Sequence, residues 1–223
     1  LIMKKYPSSW LKKTTVISHC YDDKDYPGKR EVSNGKLILS YVGAFYSERN
    51  PEILFEALQK IINTDLESKL ELRLIGLVNS YAGYSLGKIK KLLSDYKIDK
   101  ITKIIAPVSF KESLVYMKNS DCLLVIDANF LNSPFLPSKL FDYAGSRTMI
   151  LGVTPKYSPT DIFLRKIGYS SFDYNEQNQL AEYLEKIINR EVNIKVNKQF
   201  LRSFCVENIV GEFIDLFEQS LNN

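Results

Sequence analysis

This chain of 223 residues has a single histidine and three cysteines. It also has no apolar run approaching the roughly 18 residues needed to span a bilayer. The lone His19 leaves no Ser-His-Asp or Cys-His arrangement within the chain. Cys20, Cys122 and Cys205 are far apart and odd in number, with no C-x-x-C or Cys/His spacing, which excludes a disulfide framework and a zinc site. They read as reduced core residues of a cytosolic protein. Ten glycines are present, yet none form G-x-G-x-x-G, which argues against a dinucleotide oxidoreductase. The 30 basic residues barely outnumber the 26 acidic ones. Without a Lys/Arg block or stripe, a nucleic-acid partner is not expected. Aromatics form no stacking series along one strand, which removes a single-strand platform as well. No signal-peptide pattern opens the chain. It begins at Leu1 rather than Met, and the expectation is a piece of something longer.

The composition that remains, 45% hydrophobic and 25% charged, is that of a globular domain with a real core. Residues 1–35 are polar and turn-rich, with one strand-like run at Thr14 to Ser18, and read as an approach segment. Asn34-Gly35 is a turn signal. "KLILSYVG" reads as a buried strand, followed by a helix capped at Asn50-Pro51 whose apolar face runs from Ile53 to Ile62. The unit then repeats. "LELRLIG" and "ITKIIA" read as strands around the helix "SLGKIKKLLSDY", and Ser109/Glu112 form a capping-box pattern before "FKESLVYMKN". "DCLLVID" is a strand buried on both faces, and "TMILGV" is another. A helix is expected from Ser158-Pro159, and a second capping box at Asp173/Glu176 before "QNQLAEYLEKIINR". The last helix gathers Ile209, Val210, Phe213, Ile214, Phe217 and Leu221 on one face.

This alternation predicts an α/β fold, a Rossmann-like parallel sheet with helices on both faces. In such sheets ligands bind beyond the carboxyl ends of the strands, at the topological switch point. The loops after "YVG", "IIA" and "VID" are therefore the places to look. In "GAFYSERNP", Gly43 lets backbone approach a ligand closely, and Arg49 stands just before a helix start, where phosphate is favoured. A tight turn with a solvated arginine fits that loop equally well. In "SPFLPSKLFDYAG", Ser138 offers a backbone and Lys139 an ammonium to phosphate. Asp142, one helical turn on, offers a carboxylate to two neighbouring ribose hydroxyls. The plain alternative is a surface Lys–Asp pair worth about 0.3–0.5 kcal/mol. "GYSLGKI" imitates a phosphate loop but is one residue short between glycines, with Ile89 where a metal-binding hydroxyl belongs. Asp23-Lys24-Asp25 reads as a solvated turn rather than a metal motif.

Taken in order, "LSYVGAFYSERNPEILFEALQKI", "LELRLIG", "SDCLLVI" and "PSKLFDYAGSRTMILG" resemble the C-terminal domain of GT-B-fold glycosyltransferases of the GT4-like type. "PSKLFDY" looks like that family's P-S-K-[LV]-[FY]-E-Y signature. The resemblance implies three parts: a linker over 1–35, a nucleotide-sugar-binding domain over 36–195, and C-terminal helices over 196–223 packing back toward a missing N-terminal half. It implies Gly43, Arg49, Ser138 and Lys139 on a donor diphosphate, Asp142 on the ribose, and Pro107 and Val108 flanking the base. Donor UDP- or GDP-sugar would be substrate rather than cofactor, with no metal, since fixed positive charge and helix-start N–H groups would stabilise the leaving diphosphate. It further implies a retaining transfer to a glycan or lipid-linked acceptor held by the missing half. The full enzyme would work in the cytoplasm or docked peripherally on the inner face of a membrane, and the catalytic groups stay unassigned. The fragment alone is expected to be inactive. The family's usual glutamate eight residues before the ribose acid is Pro134 here, the acid itself is Asp rather than Glu, and Ala44 replaces a frequent basic residue. Two rival readings are a nucleotide-sugar epimerase of related fold and a non-catalytic nucleotide-sugar-binding domain.

Overall fold

The computed structural model describes residues 5–28, 30, 35–77, 84–130 and 133–221. Asn34 of the expected turn and Gly83 of the phosphate-loop imitation lie outside them. Among the described residues six strands alternate with helices: β1 Leu37–Val42, α1 Glu52–Gln59, β2 Leu70–Ile75, α2 Leu86–Asp95, β3 Thr102–Ile105, α3 Phe110–Lys118, β4 Cys122–Ile126, α4 Lys139–Ser146, β5 Met149–Val153, α5 Pro159–Ile167, β6 Ser171–Phe172 and α6 Gln177–Ile188. Two further helices close the chain, α7 Lys198–Arg202 and α8 Val206–Leu221. All strand pairings are parallel, in the order β3-β2-β1-β4-β5-β6. The expected Rossmann-like sheet is therefore present, and its switch point lies between β1 and β4.

Period-two alternation divides the core into two layers. Leu37, Leu39 and Tyr41 of β1 and Leu70, Leu72 and Leu74 of β2 face one side, where α1, α2 and α6 cover them. Leu123, Val125 and Ile150 face the other side, against α3, α4, α5 and α7. Local chemistry starts the helices as expected. Ser109 Oγ accepts from Glu112 N (3.3 Å) while Glu112 Oε2 accepts from Ser109 N (2.8 Å), a complete capping box. Ser158 caps α5 with Pro159 in its first turn. Ser85 likewise opens α2, and Ile89 is fully buried, so the phosphate-loop imitation is a helix start.

Several expectations are corrected. Thr14–Ser18 joins no sheet among the described residues, and Val16 is 87% exposed. The predicted helix over Ile53 to Ile62 ends at Gln59 and gives way to turns, with Asn63 in the left-handed region (φ 64°). The Asp173/Glu176 box is half formed. Glu176 Oε2 accepts from Asp173 N (2.9 Å), but the Asp173 carboxylate turns to Lys156 N and Tyr174 N instead. Of the three cysteines only Cys122 is core; Cys20 is exposed and Cys205 half-buried. The last helix is present as expected; it buries Ile209 and exposes Val210, Phe213, Ile214, Phe217 and Leu221. Strand β6 was not expected, since its two residues carry no periodicity.

Candidate functional site

The site begins where two strands part. β1 and β4 pair only at Leu39↔Cys122 and Ser40↔Leu123. Farther along, Asp127 N donates to Val153 O of β5 rather than toward β1 (2.9 Å). Val42, at the end of β1, would be left with open backbone groups, a costly state for buried polar atoms. Two α4 side chains satisfy it. Val42 N donates to Tyr143 Oη (3.0 Å), and Lys139 Nζ donates to Val42 O (2.7 Å). Lys139 thus stands in for a missing rung of the sheet and lies over the Tyr41 ring, 4.2 Å from its centroid.

Gly43 follows with φ +115°, a conformation suited to glycine. A Cβ there would lie 2.9 Å from Lys139 Nζ, so glycine also makes room for the amine. The loop then turns back through a Tyr46–Arg49 bridge, and the guanidinium sits 5.4 Å from the Tyr46 ring centroid. Asn50 Oδ1 accepts from Glu52 N (2.9 Å), which seats the start of α1. Across the crevice, residues 127–138 connect β4 to α4. Fully buried Asp127 clamps this loop at its root, accepting from Ala128 N (2.7 Å) and Thr160 Oγ1 (2.8 Å), while Tyr174 Oη donates to its carbonyl (2.7 Å). Asn129 N donates to Glu48 O (3.0 Å), tying the two loops together. Among the described residues no side chain caps α4, which begins beside Ser138.

Between these loops is a cavity of about 410 Å³, lined by Gly43, Ala44, Tyr46, Arg49, Phe135, Leu136, Pro137, Ser138, Lys139 and His19. A contiguous space of about 310 Å³ shares Tyr46, Arg49 and Phe135 and extends to Glu48, Ala128 and Phe130. Four residues expected at a phosphate site, Gly43, Arg49, Ser138 and Lys139, therefore meet at one cavity. Asp142 lies behind it, half-buried in α4 and outside the lining. Pro107 and Val108 follow β3, two strands from β1, and also lie outside the lining. The residues missed are the loop aromatics Tyr46 and Phe135, and His19. The prolines around Phe135 hinted at a shaped wall. Nothing in the local sequence linked His19 to residues more than a hundred positions away.

Electrostatically the cavity is a strained cation site. Desolvation, then the nearby Arg49 charge, lowers the pKa of half-buried Lys139 to about 7; Asp142 only partly offsets this. Burial raises the Asp142 pKa to about 6 against the pull of His19 and Lys139. No carboxylate stands among the described residues lining the 410 Å³ cavity, Glu48 lining only the contiguous space, so an anion entering would meet Arg49, Lys139 and an uncapped helix start. Among the described residues no group of three His, Cys, Asp or Glu side chains is placed to hold a metal ion. Nor is any helix among them long and apolar enough to cross a membrane. A separate cavity of about 460 Å³, lined by Arg147, Tyr169 and Leu201 among others, lies at the opposite end of α4.

No family model and no curated protein matches this sequence. Solved structures do match the fold. Sucrose-phosphate synthase from Thermosynechococcus elongatus is similar at a TM-score of 0.73 and 14% identity, over 96% of this chain and 56% of that one. Anabaena HepE, solved in complex with UDP, gives 0.72 and 11%, over 93% and 58%. The C-terminal domain of the group 1 glycosyl transferase LpcC from Francisella tularensis gives 0.52 and 16%, over 84% and 85%. This chain thus spans little more than half the length of the first two. At these identities the likeness establishes the fold: that of the C-terminal domain of GT-B glycosyltransferases.

Proposed function

We propose that this chain, which has the fold of a GT-B glycosyltransferase C-terminal domain, is the donor-binding part of a sugar transferase. One observation carries the reading: Gly43, Arg49, the start of α4 and Lys139 converge on a single cavity at the switch point of the sheet. In the reaction inferred, a sugar passes from a nucleoside diphosphate to a glycan or lipid-linked acceptor. The diphosphate, of UDP or GDP type, lies against Arg49, Lys139 and the N–H groups of Ser138 and Lys139. These fixed charges and dipoles stabilise the negative charge that grows as the sugar–phosphate bond breaks. A metal is not required for that task, and retention of configuration is the outcome proposed. Asp142 is assigned to the ribose, and Pro107 with Val108 to the base, at the far end of the crevice. The acceptor and any peripheral contact with a membrane belong to parts of the enzyme beyond this domain.

A second reading has its own observation. Pro134 stands where the related pattern carries a glutamate, and no carboxylate is among the described residues lining the cavity that holds Lys139, Glu48 lining only the contiguous space. Both features suit a domain that binds nucleotide-sugar without turning it over.

The experiment is a thermal-shift panel with UDP, GDP, ADP and NAD⁺, on this chain and on Lys139→Ala. A nucleotide at 100 times its Kd stabilises by about 2.7 kcal/mol. Stabilisation by one nucleoside diphosphate, lost in the variant, is expected. Equal response of both proteins, or none with any nucleotide, overturns the proposal.

A further inference from the structure

Resting on that reading of the cavity, we propose that His19 touches the ligand: its imidazole N–H donates to the bound diphosphate, which makes the approach segment part of the site. Three fastenings hold that segment where the contact needs it. Tyr21, 3% exposed, donates from its hydroxyl to Leu201 O (3.1 Å). Its backbone exchanges hydrogen bonds with Phe204 O (3.0 Å) and Val206 N (2.9 Å). Asp23 pairs with Arg147 (3.0 Å). Tyr26 Oη donates to Asp142 O (2.8 Å), and its ring lies so close over Gly145 that a Cβ there would sit 2.4 Å from the hydroxyl. A segment that merely led into the domain would need none of these.

The fastenings bracket His19 from its carboxyl side, and Phe141 supports its ring at 5.7 Å between centroids. The imidazole is exposed on one side and lines the cavity on the other, in the company of Gly43, Arg49, Ser138 and Lys139. Those four are the groups suited to phosphate, whereas Asp142, near enough to feel His19, lies outside the lining. The part of a nucleotide seated beside His19 is therefore its anionic part. An imidazole N–H is a suitable donor to a phosphate oxygen, and to the charged ligand its loss costs more than a neutral hydrogen bond would.

Because His19 is the only histidine, its ring resonances are assigned without further labelling. The experiment is an NMR titration of the ring with UDP, alongside calorimetric titrations with UDP and uridine of this chain, His19→Ala and His19→Gln. The expected result is a displaced imidazole signal on UDP addition, about tenfold weaker UDP binding in His19→Ala, and uridine affinity unchanged. His19→Gln keeps an N–H donor and recovers part of the loss. Thermal midpoints of the free variants should match the parent, since the ring is solvent-facing. UDP binding that leaves the resonance still and the variants unimpaired overturns the contact while the cavity's function stands. Absence of binding by every nucleoside diphosphate, in parent and Lys139→Ala alike, overturns both.

Discussion

Binding of a nucleoside diphosphate should take up a proton, and Lys139 should be where it goes. In the free protein this amine, with a pKa of about 7, is about half protonated at pH 7 and roughly one-tenth protonated at pH 8. A diphosphate placed against it removes the cause of the depression. An opposite charge within about 4–6 Å favours the charged form by about 1–3 pKa units. With a rise of about 2, the bound amine is about nine-tenths protonated at pH 8, and binding takes up about 0.8 proton. At pH 6 both states are protonated and the uptake falls below about 0.1. The same linkage makes affinity fall about fivefold between pH 7 and pH 8. Titration calorimetry with UDP, in two buffers of different ionisation enthalpy, measures the uptake directly. The terminal phosphate of UDP, with a pKa of about 6, is already ionised at pH 8 and adds little. Lys139→Met should bind more weakly, with the buffer dependence gone. Uptake under about 0.2 at pH 8, or uptake that survives in Lys139→Met, refutes this account of the cavity.

Two further outcomes follow from the helix that carries the site. Asp142 has a folded pKa of about 6, raised above its unfolded value mainly by desolvation. The folded state therefore holds the extra proton between about pH 4 and 6, and stability declines as pH rises through that window. Asp142→Asn should be more stable than the parent above pH 6, by about 1 kcal/mol after allowance for solvent screening. The two should converge near pH 4 in urea melts; an unchanging difference would contradict the assignment. Gly145→Ala in a helix would ordinarily gain about 1 kcal/mol. Here the new methyl meets the Tyr26 ring, so the thermal midpoint should drop, and Tyr26→Ala in the same chain should restore it.

How much of this was legible depended on the range over which each signal acts. Capping at Ser109 and Ser158 is decided within four residues, so the sequence displays it in full. The buried strands show because β1 and β4 are covered on both faces and need apolar residues along nearly their whole length, while β2 alternates leucine with charge, one face on the core. The Asp173 box misled because Lys156, 17 residues upstream, competes for the carboxylate. Thr14–Ser18 misled differently: a strand-like pattern records which residues suit a partner, not whether one is present. Of the site, Gly43, Arg49, Ser138 and Lys139 could be found because they flank helix starts after strands. His19 could not, because its place is set by tyrosines that grip α4 and the chain near α7.

The parting of β1 from β4 has a consequence for how position 139 can vary. One amine completes the hydrogen bonding of Val42 and faces the cavity, so the integrity of the sheet and the affinity of the site are read through the same atom. A shorter or apolar side chain would leave the carbonyl only the long contact from Tyr143 Oη (3.4 Å) even in a protein that had abandoned its ligand, and arginine would bring a planar fork where a compact donor fits between Gly43 and the Tyr41 ring. A lysine at this place can thus outlast the activity it served, and its presence in a sequence is weaker testimony to catalysis than the arginine across the crevice.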